Sequence, residues 1–121
     1  MAKTVAREVA ESYWAAECRR DMDAVLAHYH PDSTYQDGGG LLVGRDNIRT
    51  FYEGSMRDFP GLTVEILREF VQSPDTSAFE VHAELTDPAG ARFVIEGLIA
   101  ITVRDGKMQT IRCYEDPLRP A

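Results

Sequence analysis

The sequence predicts an α+β fold, in which three N-terminal helices pack in the concave face of a curved antiparallel sheet. Two observations predict it. Apolar residues recur with helical spacing in the first half of the chain, and in the second half they alternate with polar residues, as they do in strands. Helices and strands in separate parts of the chain are typical of the α+β layout.

Length and composition limit the possible functions. The chain has 121 residues, so we expect a single domain over residues 1–121. Its net charge of −7 argues against nucleic acid or an anionic membrane as a partner. The two cysteines form no disulfide framework, and neither a signal peptide nor a membrane span is evident. We therefore expect a cytoplasmic protein that binds neither nucleic acid nor membranes.

Two helices are predicted at the N-terminus. The first runs from about Lys3 to Arg19, with an apolar face formed by Val5, Val9, Tyr13 and Ala16. Asp21 can cap the second, whose apolar face consists of Met22, Val25, Leu26 and Tyr29. Tyr13 and Tyr29 each carry a phenol hydroxyl into the interior, where it requires a hydrogen-bond partner.

Residues 29–40, YHPDSTYQDGGG, separate the second helix from the third. We expect the second helix to end at Tyr29–His30, because a proline follows. A short extended run then ends at Asp37, and three glycines give the following loop freedom to bend. A carboxylate that a strand holds at a loop edge is a common site element. The alternative is that Asp37 is an ordinary turn residue, as Asp-Gly pairs often are.

The third helix begins at Asp46 or its neighbour and ends at Pro60–Gly61. Its apolar face consists of Ile48, Phe51, Tyr52 and Met56. Strands follow. Residues 63–72 carry apolar residues in two different phases, which predicts a strand with a bulge.

Alternation predicts further strands over residues 79–85, 93–103 and 111–115, with turns at 87–90 and 104–107. Ile111, Cys113 and Glu115 share one face of the last strand. A sheet that curves around helices leaves a conical cavity, and small-molecule sites favour such a place.

With its predicted helices and strands in this order, the chain resembles the nuclear transport factor 2-like superfamily. Within it, the chain resembles the SnoaL-like polyketide cyclases and the ketosteroid isomerases. Three stretches carry the resemblance: YWAAECRRDMDAVLAHYHPDSTYQD, GRDNIRTFY and DGKMQTIRCYEDP. The resemblance implies a cone-like α+β barrel, a small apolar ligand, a homodimer, and chemistry without a cofactor or a metal.

The resemblance also implies roles for individual residues. Asp37 falls on the general base of the ketosteroid isomerases, and Tyr13 falls on the tyrosine that hydrogen-bonds the substrate carbonyl. Tyr29 and Tyr52 fall on two tyrosines that support the first, and Phe51 falls on an aromatic pocket wall. We expect the remaining pocket wall to include Ile95, Ile99, Ile111, Cys113 and Glu115.

Two positions depart from the patterns of related enzymes. The second oxyanion donor of ketosteroid isomerases is an aspartic acid that an apolar site keeps protonated. Leu98 or Ile99 stands in its place here, which argues against efficient steroid isomerisation but not against carbonyl chemistry in general. Cys113 stands where related epoxide hydrolases carry a catalytic aspartate, which argues against that reaction.

The sequence leaves three hypotheses open. The first is a cofactor-free enzyme for isomerisation or intramolecular aldol cyclisation. The second is a dehydratase or hydrolase that uses His82 or Glu115, and the third is a non-catalytic binding or dimerisation module. His82 alternates with apolar neighbours, so we expect it on the outer face of the sheet. We expect no metal site at His28, His30 and Asp32, because the histidines point away from each other.

Overall fold

The computed structural model describes residues 2–121. Its helices are α1 (Val5–Cys18), α2 (Met22–Leu26) and α3 (Arg45–Asp58). Its strands are β1 (Tyr29–Asp37), β2 (Gly40–Val43), β3 (Gly61–Ser73), β4 (Thr76–Thr86), β5 (Arg92–Arg104), β6 (Lys107–Glu115) and β7 (Arg119–Pro120). They form one curved sheet in the order β2–β1–β6–β5–β4–β3, and β7 pairs with β5. The predicted fold class is confirmed.

The two N-terminal helices begin at side-chain caps. The Thr4 hydroxyl accepts a hydrogen bond from the Arg7 amide at 3.0 Å, and Asp21 accepts one from the Ala24 amide at 3.2 Å, as predicted for the second helix. Each cap satisfies an amide that the helix itself leaves without a partner.

The predicted end of the second helix was wrong. α2 ends at Leu26, and Tyr29 opens β1, where it pairs with Met108 of β6. The Met108 amide donates to the His28 carbonyl at 2.7 Å, so pairing with β6 fixes the extended backbone before Pro31 is reached. Tyr29 is nevertheless fully buried, as its place on an apolar face predicted.

The glycine-rich stretch is a tight hairpin rather than a freely bending loop. Asp37 pairs with Gly40 across the β1–β2 hairpin, so Gly38 and Gly39 form the connection. Gly40 has φ +135°, which only glycine adopts easily. The carboxylate of Asp37 therefore has a defined position at the end of β1.

The sheet is mixed, because β1 runs parallel to β6 while the other pairings are antiparallel. Ser33 holds the parallel pair where the register of β1 shifts. Its hydroxyl is fully buried, accepts from the His30 amide at 2.8 Å and donates to the Met108 carbonyl at 2.7 Å. This one side chain satisfies backbone groups that the regular ladder leaves unpaired.

The predicted bulge in β3 is confirmed. Ile66 pairs with Val81 and Arg68 pairs with Glu80, so Leu67 is the extra residue. The phase of the strand changes there, which explains the two apolar phases in the sequence and leaves Leu67 exposed. None of the helices within residues 2–121 is long and apolar enough to span a membrane.

Candidate active site

A cavity with two adjoining chambers lies between the helices and the sheet. The outer chamber has a volume of about 490 Å³ and the inner chamber about 80 Å³. Glu17, Tyr35 and Glu115 line both of them, so the chambers meet at these residues. Small-molecule sites commonly have volumes of about 300–1,000 Å³, and the outer chamber falls within that range.

The walls of both chambers are mostly apolar or aromatic. Apart from the shared residues, the outer chamber is lined by Asp37, Phe51, Gly54, Ser55, Asp58, Phe59, Leu85, Ile95 and Leu118. The inner chamber is lined by Tyr13, Trp14, Leu62, Val64, Val81, Ala83, Ile99, Ile111 and Cys113. The polar side chains of the outer wall are Ser55 and the four acids Glu17, Asp37, Asp58 and Glu115. Polar groups placed within an otherwise apolar wall are typical of sites that orient a ligand.

Three tyrosines form a hydrogen-bonded chain that ends at the inner chamber. The Tyr52 hydroxyl contacts the hydroxyl of Tyr13 on one side and lies 2.7 Å from that of Tyr29 on the other. Tyr13, Tyr29 and Tyr52 come from α1, β1 and α3 and are buried. Burial raises the pKa of each phenol above its ordinary value, so all three remain protonated at neutral pH.

Asp37 lies at the outer chamber, half-buried at the end of β1. Its Oδ1 accepts a hydrogen bond from the Gly39 amide at 2.7 Å. That bond is the only one that Asp37 accepts within residues 2–121. The hairpin thus orients the carboxylate and leaves Oδ2 able to accept a proton.

Glu17 is a cavity residue that the sequence reasoning missed. It lies one helical turn after Tyr13 on α1, and its side chain is only 15% exposed. Burial raises its pKa to about 7, against the opposing effects of the Arg20 guanidinium and the Tyr13 hydroxyl. The spacing of four residues from Tyr13 was the available signal, because residues i and i+4 share a helix face.

Arg20 is the cation next to Glu17. Its Nη1 lies 3.8 Å from Glu17 Oε1, while Nε and Nη2 donate to the Phe59 carbonyl at 3.1 and 2.6 Å. Phe59 follows α3, so Arg20 connects the turn after α1 to the end of α3. The guanidinium therefore partly offsets the cost of burying Glu17.

Glu115 is the second acid at the junction of the chambers. Burial raises its pKa, and the charge of Asp37 acts in the same direction. Glu115 pairs with Gly97 in β5, and an added Cβ at Gly97 would lie 2.4 Å from the Tyr114 carbonyl oxygen. Only a residue without a side chain allows β5 and β6 to approach this closely beside the cavity.

The structure brings most of the residues predicted for the site to the cavity. Phe51 and Ile95 line the outer chamber; Ile99, Ile111 and Cys113 line the inner one; Glu115 lines both. Tyr29 and Tyr52 lie behind Tyr13 and are not part of either chamber's wall. They therefore support Tyr13 and do not contact the cavity space.

Leu98 and Ile99, either of which the resemblance places at the second oxyanion donor of ketosteroid isomerases, lie on opposite faces of the sheet. Ile99 is buried and faces the inner chamber, whereas Leu98 pairs with Tyr114 on the opposite side of the sheet. Of these two residues only Ile99 lines the inner chamber, and it supplies no acid there.

The histidines lie outside both chambers. His82 Nδ1 lies 3.1 Å from Glu96 Oε2 on the outer face of the sheet, where the sequence analysis expected it. His28 contacts the Ser12 hydroxyl and the Ala24 carbonyl, and His30 contacts the Arg104 carbonyl. None of the three is positioned to act on a ligand in the cavity.

Comparison with known proteins gives a family and a fold. The sequence profile of the SnoaL-like domain matches residues 10–111. No curated protein sequence matches the chain significantly.

Solved structures with a similar fold include the Delta 5-3-ketosteroid isomerase from Mycobacterium sp., which is 20% identical with a TM-score of 0.83 over 92% of each chain. A Mycobacterium tuberculosis protein solved with estradiol-17beta-hemisuccinate is 20% identical, with a TM-score of 0.82 over 93% of this chain and 94% of the other. The epoxide hydrolase/cyclase-like enzyme SalBIII of salinomycin pyran-ring formation is 20% identical, with a TM-score of 0.82 over 95% of each chain. At these identities the likeness shows the fold alone.

Proposed function

We propose a function from the premise that this chain belongs to the SnoaL-like domain family, whose profile covers residues 10–111. The function is that of a cofactor-independent acid–base enzyme. It acts on a small, mostly apolar carbonyl compound by double-bond isomerisation or related enolate chemistry, such as an intramolecular aldol cyclisation. In this proposal Asp37 is the general base and Tyr13 is the oxyanion donor.

The observation that carries the proposal is the arrangement of these two residues in one cavity. Asp37 lines the outer chamber and Tyr13 lines the inner one, and the chambers meet at Glu17, Tyr35 and Glu115. A ligand that spans the junction can present its carbonyl oxygen to Tyr13 and an adjacent carbon to Asp37. Holding the reacting groups together in this way lowers the entropic part of the activation barrier.

The first chemical step would be proton abstraction. Asp37 takes a proton from the carbon next to the carbonyl, and the electron pair of that C–H bond moves into the developing enolate. The negative charge collects on the carbonyl oxygen, which the Tyr13 hydroxyl stabilises in a buried, largely apolar chamber. The protonated Asp37 can then return the proton to another carbon, which completes an isomerisation.

The hydroxyl chain supports this role for Tyr13. If the Tyr52 hydroxyl donates to Tyr13, Tyr13 donates its own hydrogen more strongly to a ligand, because neighbouring hydrogen bonds polarise each other. Burial keeps these groups protonated, so Tyr13 donates without losing its proton.

The similar structures agree with this class of ligand and reaction. They include a ketosteroid isomerase and a protein with a bound steroid ester. The aromatic and aliphatic walls of the outer chamber, such as Phe51, Phe59 and Ile95, suit an apolar ligand.

A turnover assay tests the proposal. A β,γ-unsaturated ketosteroid and the smaller cyclohex-3-enone are supplied, and the appearance of the conjugated enone is followed by its ultraviolet absorbance. We expect wild-type turnover, a loss of about 10²–10⁴ for Asp37→Asn and of about 10²–10³ for Tyr13→Phe. Asp58→Asn is the matched control, because Asp58 lines the outer chamber but has an exposed side chain.

Full turnover by Asp37→Asn would remove that residue from the mechanism. If wild type binds the ketones but converts none of them, the same cavity serves a non-catalytic binding module or another reaction. Circular dichroism of each variant separates a loss of chemistry from a loss of fold.

We further propose that the chain forms a homodimer through the outer face of its sheet. Leu67, Phe70 and Tyr114 are each about half-exposed there, next to the contacting side chains of His82 and Glu96. An exposed apolar patch with a polar rim is typical of an association surface. Sedimentation equilibrium that fits only the mass of one chain at high protein concentration would exclude the dimer.

A further inference from the structure

We propose that Glu17 is a second oxyanion donor, which acts in its protonated form beside Tyr13. This inference rests on the proposed function and assigns the group that the wall at Ile99 lacks. It follows from the position of the carboxyl group, from the place of Tyr13 at the cavity end of the tyrosine chain and from the chemistry of an enolate.

Glu17 lies where such a donor is needed. It lines both chambers, at the junction that a ligand must cross to reach Tyr13. Its carboxyl group also interacts with the Tyr13 hydroxyl, from the next turn of the same helix. An oxygen atom that accepts a hydrogen bond from Tyr13 therefore lies close to Glu17 as well.

The tyrosine chain leaves one hydrogen for the cavity. Each phenol has a single O–H and can also accept hydrogen bonds. If Tyr29 donates to Tyr52 and Tyr52 donates to Tyr13, the Tyr13 hydrogen is the one that remains, and Tyr13 is the member of the chain that lines a chamber. The Tyr13 hydroxyl lowers the pKa of Glu17, which is the effect of a hydroxyl group close to that carboxylate.

A bound enolate determines which protonation state of Glu17 is favourable. The enolate oxygen takes the Tyr13 hydrogen bond, so a charged Glu17 would keep only Arg20 as a partner within residues 2–121 and would repel the new anion at close range. A protonated Glu17 instead donates its own hydrogen to the same oxygen. The reaction therefore requires a neutral Glu17.

The surroundings make a neutral Glu17 accessible near neutral pH. Its pKa of about 7 results first from burial, and the charge of Glu115 on β6 acts in the same direction. Arg20 and the Tyr13 hydroxyl act in the opposite direction. The other titratable groups that face Glu17 or share its chambers are Cys18, Tyr29, Tyr35, Asp37, Tyr52, Asp58 and Cys113.

The test uses 2,4-dinitrophenol, which is ionised in water throughout the range studied and spreads its charge over an oxygen and a ring, as an enolate does. Its binding is followed by the change of its absorbance between about pH 6 and pH 9. The variants are Glu17→Gln, which keeps an uncharged donor, and Glu17→Leu, which keeps none. Glu8→Gln is the matched control, because Glu8 is exposed on the same helix.

For wild type and Glu8→Gln we expect the affinity to fall by up to about tenfold per pH unit above pH 7, as Glu17 ionises. Glu17→Gln should bind about as tightly as wild type at pH 6 and show no such fall. Glu17→Leu should bind more weakly than Glu17→Gln at every pH. An unchanged pH profile in Glu17→Gln, equal affinity of the Gln and Leu variants, or no binding by wild type at pH 6 would each overturn the proposal.

The same variants separate this inference from the proposed function. In the ketone assay Glu17→Gln should keep its rate above pH 7, where wild type loses rate. If Asp37→Asn retains turnover, the role of the base is wrong, yet the anion-binding profiles still decide the role of Glu17. If the pH dependence of 2,4-dinitrophenol binding differs from that expected while Asp37→Asn is inactive, Glu17 is not a donor and Asp37 remains the base.

Discussion

At the scale of single residues, the site depends on hydroxyl groups that have no access to water. Tyr52 is central, because its hydroxyl is in contact with two others and its side chain is fully buried. A buried hydroxyl without a partner costs free energy, so the three phenols stabilise one another only as a complete set.

We predict that Tyr52→Phe lowers the free energy of unfolding by about 1–3 kcal/mol, because it leaves the Tyr29 hydroxyl without its partner. Turnover should also fall, but by less than in Tyr13→Phe, since the Tyr13 hydroxyl itself remains. Urea denaturation and the ketone assay measure the two effects. Tyr114→Phe, at an exposed position, should change neither, and an equal loss in both variants would contradict the prediction.

Residue roles were predictable only in part. Tyr13 and Asp37 could be singled out because the resemblance assigns them, and the burial of Tyr13 followed from its helical face. Glu17 could not be singled out as easily, because glutamate on a helix is usually solvated. Its burial depends on tertiary packing, in which Arg20 donates to the Phe59 carbonyl and connects the turn after α1 to the end of α3.

At the scale of secondary structure, the link between β1 and β6 determines where the site residues lie. β1 carries Asp37 and β6 carries Glu115. Ser33 hydrogen-bonds across this pair at the register shift and has no exposure. Its loss would affect two elements of the site together.

We predict that Ser33→Ala lowers the free energy of unfolding by about 1–3 kcal/mol, because the His30 amide and the buried Met108 carbonyl lose their partner. Chemical denaturation gives the value, and hydrogen exchange of the His30 amide should become faster. Ser12→Ala is the control at an exposed serine. Unchanged exchange at His30 would show that Ser33 does not hold this connection.

Strand β3 and helix α2 show when a local sequence pattern is sufficient to predict the structure and when it is not. The phase change of β3 located its bulge, because Val64 and Ile66 fall in one phase of the strand and Leu67 and Val71 in the other, and the register shifts between Ile66 and Arg68. The end of α2 was mispredicted, because Tyr29 fits a helical stripe as well as a strand. Only its partner in β6, distant in sequence, decides between them.

At the scale of the whole molecule, a buried acid makes stability depend on pH. The folded protein holds the Glu17 proton up to a pKa of about 7, whereas the unfolded chain releases it near 4.5. Between these values the unfolded state binds fewer protons, so the free energy of unfolding falls as the pH rises. Above pH 7 this loss of unfolding free energy reaches its full value of about 3 kcal/mol.

We therefore predict that Glu17→Gln stabilises the protein relative to wild type more at pH 8 than at pH 5, by up to about 3 kcal/mol. Urea denaturation of both proteins at the two pH values measures this difference. Glu8→Gln, which removes an exposed charge, should show almost none. A stability difference that is equal at pH 5 and pH 8 would mean that burial does not raise the pKa of Glu17.

The parallel pairing of β1 with β6 has a consequence for synthesis. Tyr35 pairs with Ile111, so β1 leaves the ribosome long before its partner strand exists. At about 5–20 residues per second, the interval between Asp37 and Glu115 lasts roughly 4–16 s. During that time the edge of β1 that will pair with β6 has unpaired backbone groups, which other nascent chains can bind. This protein is therefore more exposed to aggregation on the polysome than in its folded state.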